Sequence, residues 1–291
     1  MMNRRNFLGA MTIAALAQRL AWAKQVHKIE RIGIEAYTIR GLLARDFEGT
    51  LETVAAIGYK EIEFGPTITD PKKARAILDR LGMTSPSGAF AFEDMSRKWP
   101  EVLDHCQIMG HRYIVIASIN EDLRNQPDGW QRGAEAFNRT GAITSKSGIL
   151  VMYHCHWREF VPMADGKVPY EILLKETDPR YVQMEMDLGW TNIGCADPLD
   201  WFARYPGRFP LVHVKDFKKL PDRKVVYGGK FDGDQVIPDM TEIGNGVIDW
   251  KRIFAHSEQA GIKHYYVEHD LAKDPMEYAR ASFRYLNDLR F

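Results

Sequence analysis

The sequence predicts a single (β/α)8 barrel, and three observations predict it. Eight short apolar runs alternate with helical patterns, glycines recur between a helical pattern and the next apolar run, and the whole series fits one chain of 291 residues. The runs are 31–37, 61–64, 84–90, 113–118, 149–154, 182–187, 211–215 and 265–268. Most are continuously apolar rather than strictly alternating, as expected of strands covered on both faces in a parallel sheet.

Helical patterns fill the intervals. Residues 47–56 set Leu51, Val54 and Ala55 on one face, and 71–81 starts with Pro71 behind Asp70, an N-cap followed by a first-turn proline. The series continues at 128–147, 169–176, 198–204, 249–260 and 275–289, and Gly58, Gly82, Gly110, Gly148 and Gly261 stand where helices end. No G-x-G-x-x-G follows the first strand, which weakens the competing doubly wound dinucleotide fold. The connection from Asp216 to Asn245 is long and rich in Gly, Pro and Asp, as in a lid or a site wall at the C-terminal mouth.

Composition narrows the function. The chain carries 39 basic and 39 acidic residues, so the body offers no general attraction for nucleic acid. Cys106, Cys155 and Cys195 are too few and too scattered for a disulfide framework and read as core thiols. Residues 1–23 read as an export signal, with 24–291 as the barrel: Arg4-Arg5-Asn6-Phe7-Leu8 resembles the twin-arginine motif, an apolar run follows, and Ala21-Trp22-Ala23 is a cleavage pattern. A periplasmic location, with the twin-arginine export machinery as a partner, is the expectation. No stretch is long and apolar enough to predict a membrane span. A homo-oligomer is compatible with the sequence.

Four consecutive strands end in ionisable groups: Tyr153-His154-Cys155-His156, Met186-Asp187, His213-Val214-Lys215-Asp216 and Val267-Glu268-His269-Asp270. Neighbouring strand ends share one rim of a barrel, so these groups should converge, and burial without a partner would be costly. A divalent cation supplies the partner. Mixed His and carboxylate donors suit Zn²⁺ or Mn²⁺, with Fe²⁺ and Co²⁺ also compatible.

The same residues carry a resemblance. Ile32-Gly33-Ile34-Glu35-Ala36-Tyr37, Gly58-Tyr59-Lys60-Glu61-Ile62-Glu63-Phe64, His213-Val214-Lys215-Asp216, Gly246-Val247-Ile248-Asp249-Trp250 and Val267-Glu268-His269-Asp270 resemble segments of the xylose isomerase-like barrels, specifically the sugar phosphate isomerase/epimerase family. The resemblance spans nearly the whole body. It implies one metal held by Asp187, His213 and Glu268, with His154 standing where the family usually has a glutamate and His156 matching the following histidine. The Y-H-x-H version resembles a subgroup in which histidine replaces that carboxylate.

The family's epimerases use two ligand glutamates on opposite faces of the substrate, and only Glu268 of that pair is kept. The resemblance therefore implies proton abstraction beside a carbonyl, by Glu268 or Glu63, with the cation stabilising the enediolate. Lys215 and His156 would donate to substrate oxygens, and His156 would protonate a leaving group from a pKa near neutrality. An isomerase and a lyase or dehydratase acting on a keto sugar, an inosose or a 3-keto-glycoside both remain open, ahead of a metal-dependent hydrolase or a non-catalytic sugar-binding protein. Export favours an unphosphorylated substrate.

Overall fold

A computed structural model describes residues 27–65 and 70–291. The expected signal at 1–23 lies outside the described residues. The barrel strands are β1 (Ile32–Glu35), β2 (Glu61–Glu63), β3 (Ser87–Phe90), β4 (Tyr113–Ile116), β5 (Leu150–His154), β6 (Val182–Asp187), β7 (Leu211–Val214) and, after a short ladder of β8 (Asp216–Phe217) and β9 (Met240–Thr241), β10 (His264–Val267). They form an eight-stranded sheet in the order β2-β1-β10-β7-β6-β5-β4-β3. Parallel bridges from Glu61 to Thr84 and from Phe64 to Gly88 close β2 onto β3. Every predicted strand is present, though β1 stops at Glu35 because residues Ala36–Ile39 turn into a 3-10 helix.

Two apolar layers hold the barrel. Most core side chains sit between the strands and the surrounding helices. A separate small cluster of Tyr113, Val115, Met152, Leu211 and Tyr266 fills the interior. Gly33 is required there, because a Cβ at that position would lie 2.5 Å from the Tyr266 ring. This plug closes the middle of the barrel, so any inward side chain one or two residues further along a strand emerges at the C-terminal mouth.

Asp70 caps its helix as predicted, accepting from the Lys73 amide at 2.9 Å. The helix Trp99–Met109 has no counterpart in the sequence reading, and the predicted helix 249–260 divides into Trp250–Phe254 and Ser257–Ala260. Two histidines lie away from this mouth: His111 is buried behind β3, and His264 opens β10. The three cysteines are free, with Cys106 and Cys155 buried.

The long connection after β7 is folded. Asp216 gathers its base, accepting from the amides of Phe217 (2.9 Å) and Gly244 (2.9 Å) and from the Trp250 indole (2.9 Å). The connection also contains a helix at Arg223–Val226 and a 3-10 segment at Gly233–Asp239. Among the described residues, no helix is long and apolar enough to cross a membrane.

Candidate active site

On six of the eight strands, all but β3 and β4, the inward positions above the apolar plug are ionisable. Strand alternation explains the choice: β6 reads Gln183, Glu185, Asp187 on its inner face, and β7 continues Leu211, His213, Lys215. Register brings them level, with His154 beside Glu185 and Asp187 beside His213. Glu63 ends β2, and Glu268 follows β10 directly. All seven site residues expected from sequence, His154, His156, Asp187, His213, Lys215, Glu63 and Glu268, therefore stand at one mouth.

His213 is the hub. Its Nδ1 lies 2.7 Å from Glu268 Oε2, and its Nε2 lies 3.0 Å from Glu63 Oε1 and 3.3 Å from Glu185 Oε2. His154 Nδ1 is 2.9 Å from Glu185 Oε2. The Lys215 ammonium lies 3.1 Å from Asp187 Oδ2, 3.0 Å from Glu268 Oε2 and 3.1 Å from Asp270 Oδ1. Lys215 thus pairs with Asp187, whereas its sequence neighbour Asp216 turns away to hold the long connection. Asp187 Oδ1 caps the next helix, accepting from the Trp190 amide at 2.7 Å.

Burial and charge act in opposite senses here. Burial lifts Glu63 to about 7 and Asp187 to about 6, and raises Glu35. Burial also opposes the charge on Glu268, but Lys215 and His213 outweigh it and keep this carboxylate well below its usual range. His213 is likewise disfavoured by burial, yet Glu185 and Glu268 hold it well above the usual imidazole range. Burial takes His154 down to about 3. It lowers His156 as well, helped by the neighbouring His154, so His156 loses the near-neutral pKa expected from sequence and is a neutral imidazole. One of its ring nitrogens accepts from the Glu159 backbone, leaving the other side to donate a hydrogen bond.

Whether these residues suit a cation can be tested on their own atoms. Glu63 Oε2 and Glu185 Oε1 are buried without a hydrogen-bond partner, and Asp187 Oδ2 has only the Lys215 ammonium, at 3.1 Å. Six carboxylates, those of Glu35, Glu63, Glu185, Asp187, Glu268 and Asp270, face only Lys215 and His213 as cations among the described residues. His154, Asp187 and His213 each offer a ligand atom within 4.8 Å of the others, and Glu63, Glu185 and His213 form a second such group. Unpaired oxygens, surplus negative charge and a neutral imidazole are what a divalent cation requires. Glu268 joins neither group and stands on the far nitrogen of His213.

Glu35, Glu185 and Asp270 were not singled out from sequence. The signal for Glu185 was present: Gln183, Glu185 and Asp187 are polar at every second position between Met184 and Met186, the spacing of an inner face. These groups line a cavity of about 300 Å³ whose β3–β4 wall is small and apolar, Ala89, Val115 and Ala117. The loops that leave Ala117 and His156 go on to line a groove of about 600 Å³ with Trp130, Trp157 and Phe231. Of the other aromatic side chains that follow strand ends, Phe90 and Phe92 pack on His105 and Phe137, and Trp190 faces Lys215.

This arrangement can be set beside known proteins. The xylose isomerase-like TIM barrel family matches residues 51–289. The chain belongs to that family. It is 26% identical over 272 residues to an inosose dehydratase of Lacticaseibacillus casei, covering 83% of this chain and 89% of that one. A sugar phosphate isomerase/epimerase from Parabacteroides distasonis superposes with a TM-score of 0.73 at 27% identity, over 88% of this chain and 93% of the other. The IolI protein, solved with a zinc atom, shares the fold at a TM-score of 0.67 and 13% identity, over 87% and 95% of the two chains. The family and these relatives make the chain an enzyme of isomerase or lyase type.

Proposed function

We propose that the chain is a divalent-cation-dependent enzyme that removes a proton beside the carbonyl of a small, unphosphorylated keto sugar or inosose and then expels the β-oxygen substituent. The carrying observation is the sidedness of the cavity. Glu35, Glu63 and Glu268 come from the adjacent strands β1 and β2 and the end of β10, while the facing strand β5 brings only His154 and His156. Proton return to the opposite face, which epimerisation needs, has no carboxylate on β5 to perform it, and the neighbouring Glu185 on β6 is engaged by His154 at 2.9 Å and His213 at 3.3 Å. The inosose dehydratase relatives support elimination as the outcome. Isomerisation through the same first step is the second reading, supported by the Parabacteroides neighbour.

His154, Asp187 and His213, with Glu268 beside them, would hold the cation, and the mixed donors suit Zn²⁺ or Mn²⁺. When bound, such a cation stabilises negative charge on a carbonyl oxygen. Lys215 and His213 keep Glu268 ionised in the metal-free site, a role that a bound cation would take over, and Glu268 accepts the α-proton while the C–H electrons become the new C=C bond. As the β-C–O bond breaks, Glu63 hands its proton to the departing oxygen, which leaves as water if it was a hydroxyl. Neutral His156 orients a substrate hydroxyl through its N–H. The Arg4-Arg5-Asn6-Phe7-Leu8 motif supports twin-arginine export to the periplasm, and with it an unphosphorylated substrate.

Keto sugars and inososes followed by NMR in D₂O with Mn²⁺- or Zn²⁺-loaded protein test this reading. Deuterium is expected beside the carbonyl, with an unsaturated product accumulating, and Glu268→Gln is expected to slow both by about 10²–10⁴-fold. Absence of exchange across the panel would remove the proposal.

A further inference from the structure

Lys215 is among the most deeply buried side chains of the molecule, 1% exposed, and its ammonium sits on the oxygens a cation would need. Asp187 has one oxygen engaged, Oδ1 on the Trp190 amide at 2.7 Å, so Oδ2 is the one left for a ligand bond. Nζ stands 3.1 Å from that Oδ2. It also stands 3.0 Å from Glu268 Oε2, the oxygen that His213 Nδ1 approaches to 2.7 Å. An ammonium and a divalent cation cannot share these positions without strong repulsion in a site this dry.

A second seat lies within reach. Asp270 presents Oδ1 at 3.1 Å and Oδ2 at 3.3 Å to the same ammonium, and its side chain is 17% exposed at the edge of the cavity. The Trp190 ring centre is 5.1 Å from Nζ, in cation–π range. Lysine suits such a move, since its charge is compact and its stem has four rotatable carbons.

We propose that Lys215 is a resident, displaceable counter-ion. Its ammonium holds Asp187 and Glu268 in place until a divalent cation takes them, and it then retreats onto Asp270 and the Trp190 face. Metal affinity in this protein is thus set by competition with one of its own side chains. The inference rests on the cation site proposed above.

Calorimetric titration of the metal-free full chain with Zn²⁺ tests it, because the two partners of the lysine predict opposite signs. Lys215→Met removes the competitor and is expected to tighten Zn²⁺ binding at least tenfold. Asp270→Asn removes the retreat seat and is expected to weaken it severalfold. Zn²⁺ should also change the tryptophan emission of the wild type, and Trp190→Phe should abolish that change. If Lys215→Met fails to fold, Asp270→Asn and the Trp190 signal decide alone. Equal affinities, or shifts of one sign in both variants, overturn the lysine inference while leaving the cation site standing. No Zn²⁺ uptake by any of the proteins overturns both.

Discussion

The two ends of the barrel each bury a carboxylate network, and they are built differently. At the N-terminal end, Glu61 has one oxygen on Arg31 Nε at 2.8 Å and the other on His264 Nδ1 at 2.7 Å, while Arg31 also reaches the Thr84 hydroxyl at 2.9 Å. Supply matches demand. At the C-terminal mouth, carboxylates outnumber their partners: Glu63 and Glu185 each keep a buried oxygen unpaired, and Asp187 Oδ2 meets only the Lys215 ammonium. A closed network is explained by stability alone. An open one persists only when something outside the chain completes it, and the completing species here is a cation and a substrate.

The largest expected effect breaks the open network at the oxygen it depends on. Asp187→Asn keeps the shape and the helix cap on the Trp190 amide but removes the charge. Zn²⁺ affinity, read by calorimetry or metal analysis, is expected to fall at least 100-fold, and turnover of any keto-sugar substrate by about 10³-fold, in line with the loss of an electrostatic group at a reacting centre. The melting temperature of the metal-free protein should stay within a few degrees. Retained metal binding would show that Asp187 serves the fold, through Lys215 and the Trp190 amide, and not a cation.

The N-terminal end has open atoms of its own, among them Gln183 Oε1, Arg208 Nε and His111 Nε2, and the last sharpens the contrast through pH. His111 approaches the Ser85 carbonyl with Nδ1 at 2.7 Å, while its Nε2 is buried without a partner beside Gly88. Burial lowers its pKa from 6.5 to about 4. Since the folded pKa is depressed, the stability tied to neutral His111 is full above pH 6.5 and is lost as the pH falls to about 4. The loss amounts to roughly 3 kcal/mol. Denaturant melts at several pH values should show this slope, and His111→Asn should flatten it. His111 thus needs no ligand; it is simply kept neutral.

How much of this was legible in the sequence follows from the same physics. The strands were, because burial on both faces writes apolar runs that need no partner to be recognised. The helix Trp99–Met109 was not, since its buried face is only Val102, Cys106 and Met109. Residues at strand ends, His154, Asp187, His213 and Glu268, stood out because a charge there breaks an apolar run. Glu185 sits inside its strand and showed only as period-two polarity, while Glu35 and Asp270 lay within quoted segments without a stated partner. The triple pairing of Lys215 with Asp187, Glu268 and Asp270 depends on how three strand ends face one another, which spacing along the chain does not encode.

A matched pair of isosteric changes puts the comparison at risk with the smallest effects. Glu61→Gln removes a charge from the closed network and leaves Arg31 and His264 short of their partner, so it should cost about 1–2 kcal/mol, discounted because Arg31 is half-exposed. Turnover should not change. Glu185→Gln removes a charge from the open network. It keeps an oxygen for His154 and relieves the repulsion that Glu185 exerts on Glu63, so the metal-free protein should be unharmed or gain about 1 kcal/mol. That is a rise of about 2–4 °C in Tm for a domain of this size, accompanied by weaker metal binding. Opposite signs in the two melts are the expected result. Equal losses would mean that the mouth is as fully paired as the base, and that its carboxylates serve the fold before they serve any ligand.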